Sequence, residues 1–570
     1  MTIGTSTRGL GLLSIALGAA ALITACTLAT NETTTQCRSQ ADCLARGPDY
    51  ANTTCSAERV CTKIVVADKA CTKNQECSDK AGGAPVICRK SDGVCVNLLT
   101  DECPVVYADK SELLNDATVF IGTTTPSVEV GVQANIAVQL ARKEINKAGG
   151  LPPTTPGGPR RPIGIVSCAN ENLSVATAEA QYKHLAQTVR VPFATGTMVG
   201  TRSLLAARTY SSNGVLSIGT SDIFELSDVD KNLVFRSAFS ELEATRSMGK
   251  SIEYLTPIML AAGDLQPGEQ VRVAVTRDLL QGGGIATGVS RIKLNGMDAL
   301  DPGNKDNFQI FDSGTNQDPV NHPNPEAEIN VAVQRVLAFK PHFLFITGGP
   351  GQIANIYIAI MRLWPAGVPR PYVVPVIPSV STLFAGVISG ALGNLGPVQV
   401  EQMRKKIWGI RMYSPDVKQS EIDRFVAALR TGFPDVTIPI TFNVPAFYDE
   451  IYLFAYSAAA IGNAPLTGIE LSRGLRRVAG AGGGVPITWG PADFSKAMAA
   501  LAAGSDLSYI GVQGSFGFDG KGDHPGISDI YCIPASTATG KPVNNPTSTG
   551  LTYDAKTDTL SGAYSCPAAP

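Results

Sequence analysis

The sequence predicts an α/β fold of two lobes with parallel sheets, preceded by a small disulfide-rich module. Three observations predict it. Ten of the thirteen cysteines lie before residue 104, leaving Cys168, Cys532 and Cys566 for the rest of a 570-residue chain. From about Ala117, short apolar runs alternate with amphipathic stretches, which is the signature of strands joined by crossover helices. That alternation occurs as two series of similar size, which suggests two lobes facing each other across a cleft.

The chain opens on a leader. Residues 1–25 carry one positive charge, Arg8, followed by an apolar stretch from Gly9 to Ala25. The stretch is rich in Gly, Ala and Ser and falls short of the roughly 20 strongly apolar residues of a spanning helix. Small residues at Thr24 and Ala25 just before Cys26 resemble the bacterial lipobox, whose Cys is lipid-modified and becomes the mature N-terminus. The alternative is an ordinary secretory peptide with Cys26 in a disulfide. Removing Cys26 leaves twelve cysteines, an even number that suits full pairing. Thr27 in place of Asp favours the outer membrane, by resemblance to enterobacterial lipoproteins. Export followed by dense cysteine places the protein in the oxidising cell envelope, anchored by lipid and not spanning the bilayer.

Residues 26–104 form the cysteine module. Cys37, Cys43, Cys55 and Cys61 are spaced x5, x11, x5, and Cys71, Cys77, Cys88 and Cys95 are spaced x5, x10, x6. The blocks 37–61 and 71–95 are an internal repeat, each too small to bury a core, so two disulfides per block are the expected substitute. Zinc is the alternative. It prefers Cys pairs two to four residues apart, and no His precedes His184. Connectivity within each block stays open. Cys103 with Cys168, and Cys532 with Cys566, suit the two ends of the body. The module reads as a spacer, with a protein-docking surface as the alternative.

The body spans 115–534. Its first strand is Thr118–Gly122, followed by a helix from Gly131 to Lys147 that stops at Gly149-Gly150. Pro162–Cys168 is the next strand and Ala176–Thr188 the next helix; 193–196, 215–218 and 234–236 continue the alternation. The second series has strands at 271–275, 343–347, 372–377 and 407–412, with helices over 419–430 and 449–461. A hairpin is expected at 514–523. Residues 535–570, rich in Thr, Ser, Pro and Asn, read as a polar tail tied back by Cys566.

At this point the chain resembles a known family. The run Gly131–Gly150, with Glu144-Ile145-Asn146-Lys147-Ala148-Gly149-Gly150 at its end, is similar to the first helix of the type I periplasmic binding proteins. The resemblance is in particular to the branched-chain amino acid (leucine/isoleucine/valine) ABC transporter substrate-binding group. Arg161-Pro162-Ile163, Asn172–Ala180, Val234-Phe235-Arg236, Tyr448-Asp449 and the turn from Gly517 to Asp523 follow in the family's order, over about 115–534. The resemblance implies two Rossmann-like lobes around a ligand cleft.

Ligands of open α/β sheets sit at the carboxyl ends of strands, against loops and helix N-termini. Gly196–Arg202 follows a strand and opens a helix at Ser203, so its backbone N–H groups, with Thr197, Gly200 and Thr201, can receive a carboxylate. Gly219, Thr220, Ser221 and Asp222 follow the next strand and offer the same chemistry. The resemblance implies that these loops hold a ligand carboxylate; helix capping is the alternative. In the second lobe, Asp278 stands in a loop where the family has an aromatic residue, and Gly349 lies in a Gly-containing loop after the next strand. The acidic partner for an α-ammonium has no counterpart around 375–382.

Catalysis is poorly supported. The four histidines, His184, His322, His342 and His524, are scattered and fit satisfied core or surface positions. Asp519 and Asp523 offer too few ligands for a calcium loop, so neither a metal nor a cofactor is expected. With net charge −2 there is no basic excess, which argues against nucleic acid. The expectation is a lipid-anchored solute-binding protein that delivers a small polar ligand to an ABC permease. The alternative is an envelope sensor or regulator of the same fold, acting by protein contact.

Overall fold

The computed structural model describes residues 42, 53–55, 61–63 and 71–566, the last range without 126–127, 156, 170–173, 197–200, 220–225, 227–228, 230–231, 238–240, 279–282, 315–321, 349, 376–379, 412–418, 436–443, 481–482, 525 and 543–546. Two compact units divide the chain: residues 1–72 with 90–95, and residues 73–89 with 96–570. In the small unit, β1 (Thr53–Cys55) and β2 (Cys61–Lys63) pair antiparallel with Cys55 opposite Cys61. Cys26, Cys37 and Cys43 lie outside the described residues.

The second repeat, expected within a single module 26–104, is divided: residues 71–72 and 90–95 fall in the small unit and residues 73–89 in the large one. Residues 73–89 are held there at Asn74, buried at the start of the helix Asn74–Lys80. Its side-chain amide donates to the carbonyls of Leu113 and Asn115, its carbonyl accepts from the Cys88 N–H, and its own N–H donates to Asp116 at 2.7 Å. Each of these is a group that burial without a partner would penalise. Cys71, Cys77, Cys88 and Cys95 are all disulfide-bonded, which removes their clustered sulfurs as zinc ligands. β3 (Val86–Arg89) and β4 (Val94–Asn97) complete the repeat as a two-stranded sheet.

The first lobe is built on a six-stranded sheet. Its strands are β5 (Val105–Tyr107), β6 (Val119–Thr125), β7 (Ile163–Ala169), β8 (Phe193–Gly196), β9 (Leu216–Gly219) and β10 (Val234–Arg236), in the order β10-β9-β8-β6-β7-β5. All neighbours are parallel except β5, which runs antiparallel to β7 at the edge. Parallel strands covered on both faces read as short continuous apolar runs, and that is how Phe193–Gly196 reads: all four residues are buried. The Cys103–Cys168 disulfide joins the segment before β5 to β7. Closing a loop with a sequence separation of 65, it stabilises by about 4 kcal/mol on loop entropy.

The second lobe carries β11 (Val273–Arg277), a small hairpin of β12 (Lys293–Leu294) and β13 (Met297–Asp298), β14 (Phe308–Asp312), β15 (Phe343–Ile346) and β16 (Tyr372–Pro375). The four longer strands form a parallel sheet ordered β14-β11-β15-β16. The antiparallel sheet beside it, β17 (Gly409–Arg411), β21 (Ile527–Cys532), β22 (Thr547–Asp554) and β23 (Thr559–Ser561), packs into the same core through Trp408, Ile410, Ile530 and Leu551.

Between β17 and β21 the chain returns to the first lobe. There it supplies the helices Gln419–Gly432, Val444–Ala460, Gly468–Ala479 and Phe494–Ala502, and β18 (Val485–Thr488), β19 (Leu507–Gly511) and β20 (Gly514–Ser515). Phe425, Val444, Ile451, Leu471 and Tyr509 share one apolar cluster with Ile121, Phe193 and Ile218 of the first sheet. The chain therefore passes between lobes three times: after β10, after β17 and after β20.

Several elements differ from the sequence reading. Residues 547–561, expected within a polar tail over 535–570, are built into the body: β22 and β23 lie in the second lobe's sheet, with Leu551 and Tyr553 buried. In β22, Ser548, Gly550 and Thr552 alternate with buried Thr549, Leu551 and Tyr553, so polar residues occupy part of both faces, a pattern easily taken for polar low complexity. Cys532 is bonded to Cys566, and Tyr564 stacks on Trp408 at 5.1 Å. The helix expected from Asp449 starts at Val444, since Pro445 in the first turn is compatible with a helix start. The expected hairpin at 514–523 lies upstream, at the β19–β20 turn, whereas Asp519 holds a tight turn by accepting N–H bonds from Lys521 and Asp523. The helix over 176–188 changes to a π-helical run at His184–Val189, which sets Leu185 against Gly122.

Candidate functional site

Register places the first lobe's candidate loops side by side. Cys168, Thr124, Gly196, Gly219 and Arg236 form one row across β7, β6, β8, β9 and β10, at or next to their carboxyl ends. Gly196 packs so closely on the Thr124 carbonyl that no side chain fits there. Gly219 accepts from the N–H of Ser237, the first residue beyond β10, at 3.0 Å. Of the residues proposed from sequence, Gly219 thus sits beside Gly196 in this row, and Thr201 is the first residue of the helix Thr201–Ser212. Thr197, Gly200, Thr220, Ser221 and Asp222 lie outside the described residues.

The second lobe has a matching rim. Asp278 is buried directly after β11, and its N–H donates to Thr347 Oγ1 at 3.2 Å. The same hydroxyl donates to the Thr276 carbonyl at 2.9 Å, locking the ends of β11 and β15 together. Gln352 donates to the Ser313 carbonyl and hydroxyl and to the Gly314 carbonyl, tying in the end of β14. Gly349 lies outside the described residues.

Sequence reasoning missed the most unusual chemistry at the first lobe's rim. The helix Val444–Ala460 is buried along all seventeen residues, yet carries adjacent acids, Asp449 and Glu450. Glu450 accepts from Thr195 Oγ1 on β8, and from Ser237 Oγ at 2.5 Å. Burial lifts its carboxyl well above the ordinary range, with the neighbouring Asp449 adding to the shift against the Ser237 hydrogen bond. Asp449 accepts from the Val512 N–H at 2.9 Å, the Gln513 N–H at 3.1 Å and the Tyr509 hydroxyl at 2.9 Å. Its carboxyl is pushed up to about 7, because burial outweighs those three bonds. The available signal was a pair of charges inside an otherwise uncharged, apolar run.

Each histidine has a structural partner. His184 meets the Leu98 carbonyl, His322 meets Glu328, His342 accepts from the Arg272 N–H, and His524 accepts from the Gly517 N–H.

No family model matches the chain, and no curated protein matches it. Solved structures do. An ABC transporter substrate-binding protein from Desulfitobacterium hafniense, in complex with Leu, is 18% identical, with 75% of this chain and 99% of that one covered and a TM-score of 0.47. The branched-chain amino acid transporter substrate binding protein LivJ from Streptococcus pneumoniae, in complex with isoleucine, is 16% identical over 76% and 99%, with a TM-score of 0.48. An ABC transporter solute binding protein from R. palustris, in complex with benzoate, is 14% identical over 75% and 95%, with a TM-score of 0.46. These neighbours have the type I periplasmic binding fold. Among the described residues, no helix is long and apolar enough to cross a membrane.

Proposed function

We propose that this chain is an extracytoplasmic solute-binding protein, held in the cell envelope by a lipid on Cys26. It captures a small polar ligand, an amino acid, amide or related organic acid, by lobe closure and delivers it to an ABC permease. The observation that carries this reading is the chain path: two lobes built on parallel sheets, linked by three passages, with polar rims at the strands' carboxyl ends. Contacts from both rims favour a shut state, and a ligand shifts the equilibrium by its differential affinity for that state. The loops bearing Thr197, Gly200 and Thr201, and Gly219 to Asp222, are the proposed carboxylate receivers. Asp278 and Gly349 are their counterparts in the second lobe.

A thermal-shift screen of the full chain with amino acids, amides, benzoates and small organic acids tests the reading. A ligand at 100 times its dissociation constant stabilises by about 2.7 kcal/mol. A well-folded protein that no compound shifts would count against solute binding. Thr197→Ala with Thr201→Ala should weaken binding without unfolding the chain, and Cys26→Ser should release it from membranes.

One observation favours a second reading. The second cysteine repeat is bonded through Asn74 to the segment around Leu113–Asp116. Residues 73–89, fixed to the body in this way, suit an envelope sensor or regulator that presents a docking surface to another envelope protein. Copurification of such a protein, together with an empty ligand screen, would select it.

A further inference from the structure

Through consecutive side chains, the wholly buried helix Val444–Ala460 touches one passage between lobes and the turn that leads into another. Adjacent residues on a helix point about 100° apart, so one pair of acids can reach two separate segments. Glu450 holds Ser237, the first residue of the passage after β10, to Thr195 in the middle of the sheet. Asp449 holds the backbone of Val512 and Gln513, the turn that leads through β20 into the third passage. The two passages are also tied to each other: the Arg236 N–H donates to the Gly522 carbonyl at 2.8 Å, and its guanidinium lies 3.3 Å from Asp523. Apolar packing needs no carboxyl in this helix. Its other fifteen residues are uncharged, and a buried acid costs stability unless its hydrogen bonds are made.

We propose that Asp449 and Glu450 are positioning residues for lobe movement: they pin the first-lobe approaches to two passages, so that the chain up to Ser237 in one and up to Asp523 in the other moves with the first lobe. Neither residue need touch a ligand, and the assignment does not depend on which solute, if any, the protein binds.

The test measures interlobe distance in the full chain without ligand. Donor and acceptor dyes are placed through unnatural amino acids at Arg208 and Lys305, exposed residues of the first and second lobes. Glu450→Ala and Ser237→Ala should broaden the distance distribution, and amides around Ser237 should exchange about tenfold faster, as the loss of one buried hydrogen bond implies. Glu450→Gln, which keeps an acceptor for one hydroxyl and a donor for the other, should restore the narrow distribution. A lowered melting temperature with an unchanged distribution would make these ordinary core residues and overturn the proposal. So would a Glu450→Gln protein that behaves like Glu450→Ala. Should Glu450→Ala fail to fold, Ser237→Ala alone decides, since it removes only a hydroxyl.

Discussion

The Asp449 carboxyl lies directly against Gly511: a Cβ added at Gly511 would stand 2.5 Å from the Asp449 carboxyl carbon. That approach lets the carboxylate reach past β19 to the next two backbone N–H groups. Gly511→Ala must therefore displace either the helix Val444–Ala460 or the β19–β20 turn. It is expected to cost about 2 kcal/mol, the size of a typical overpacking penalty, read as a lowered urea midpoint.

The same carboxyl gives stability a pH dependence of predictable sign. Its folded pKa is raised to about 7, above the ordinary value near 3.9. The folded state thus holds its proton over a range where the unfolded chain has lost it. Stability contributed by this group is present below about pH 4 and falls as pH rises toward 7, by up to roughly 1.4 kcal/mol per unit. Glu450, raised for the same cause, adds in the same direction. Urea titrations across pH 4–8 should show Asp449→Asn flattening this slope. The variant should also be less stable at low pH, because its amide nitrogen would face an N–H donor.

His524 works the other way. It is stacked on Phe516 at 5.1 Å, and burial lowers its pKa to about 4. A depressed histidine is neutral in the fold while the unfolded chain takes up protons below about 6.5. Its contribution is present above pH 6.5 and is lost as pH falls toward 4. His524→Gln should remove that acid-side loss, so the two variants change the pH profile in opposite senses. A shared sign would contradict one of the two burial arguments.

Asn74 should behave as a keystone of the second repeat. Asn74→Ala leaves the Cys88 N–H and two carbonyls without their partner, at about 3 kcal/mol. Limited proteolysis should then cut within 73–89 before the body is lost. Unaltered protection of that segment would refute the docking role.

The last residues carry core weight. Leu551 is fully buried in the second lobe's cluster, so Leu551→Ala is expected to cost 2–5 kcal/mol, the usual range for a buried leucine. A chain ending at residue 534 loses β22, β23 and the partner of Cys532. It should be recovered aggregated.

Much of the fold was legible because parallel strands have to be apolar on both faces. Phe193–Gly196, Phe343–Ile346 and Tyr372–Pro375 stand out as short runs between amphipathic helices. The carboxyl-end rule brought Gly219, and family resemblance brought Asp278, to positions that lie at strand ends. Glu450 stayed hidden, because its partners Thr195 and Ser237 are 255 and 213 residues away in sequence. Local pattern carries no record of such pairs. β22 and β23 stayed hidden because alternation of Thr and Ser with few apolar residues looks alike in a strand and in a polar linker.

By itself, then, the sequence determined the class of the molecule: the repeat of cysteines, the two α/β series, and the strand ends where polar loops emerge. These follow from local physics, namely hydrophobic period, turn residues and the small size of each cysteine block. Only the tertiary structure decided that residues 73–89 of the second repeat belong with the body, that residues 547–561 complete a sheet, and that two neighbouring acids bond the approaches to two passages between lobes. The first and the last depend on burying a polar group beside a partner distant along the chain. That is a condition on the assembled fold, and no window of sequence contains it.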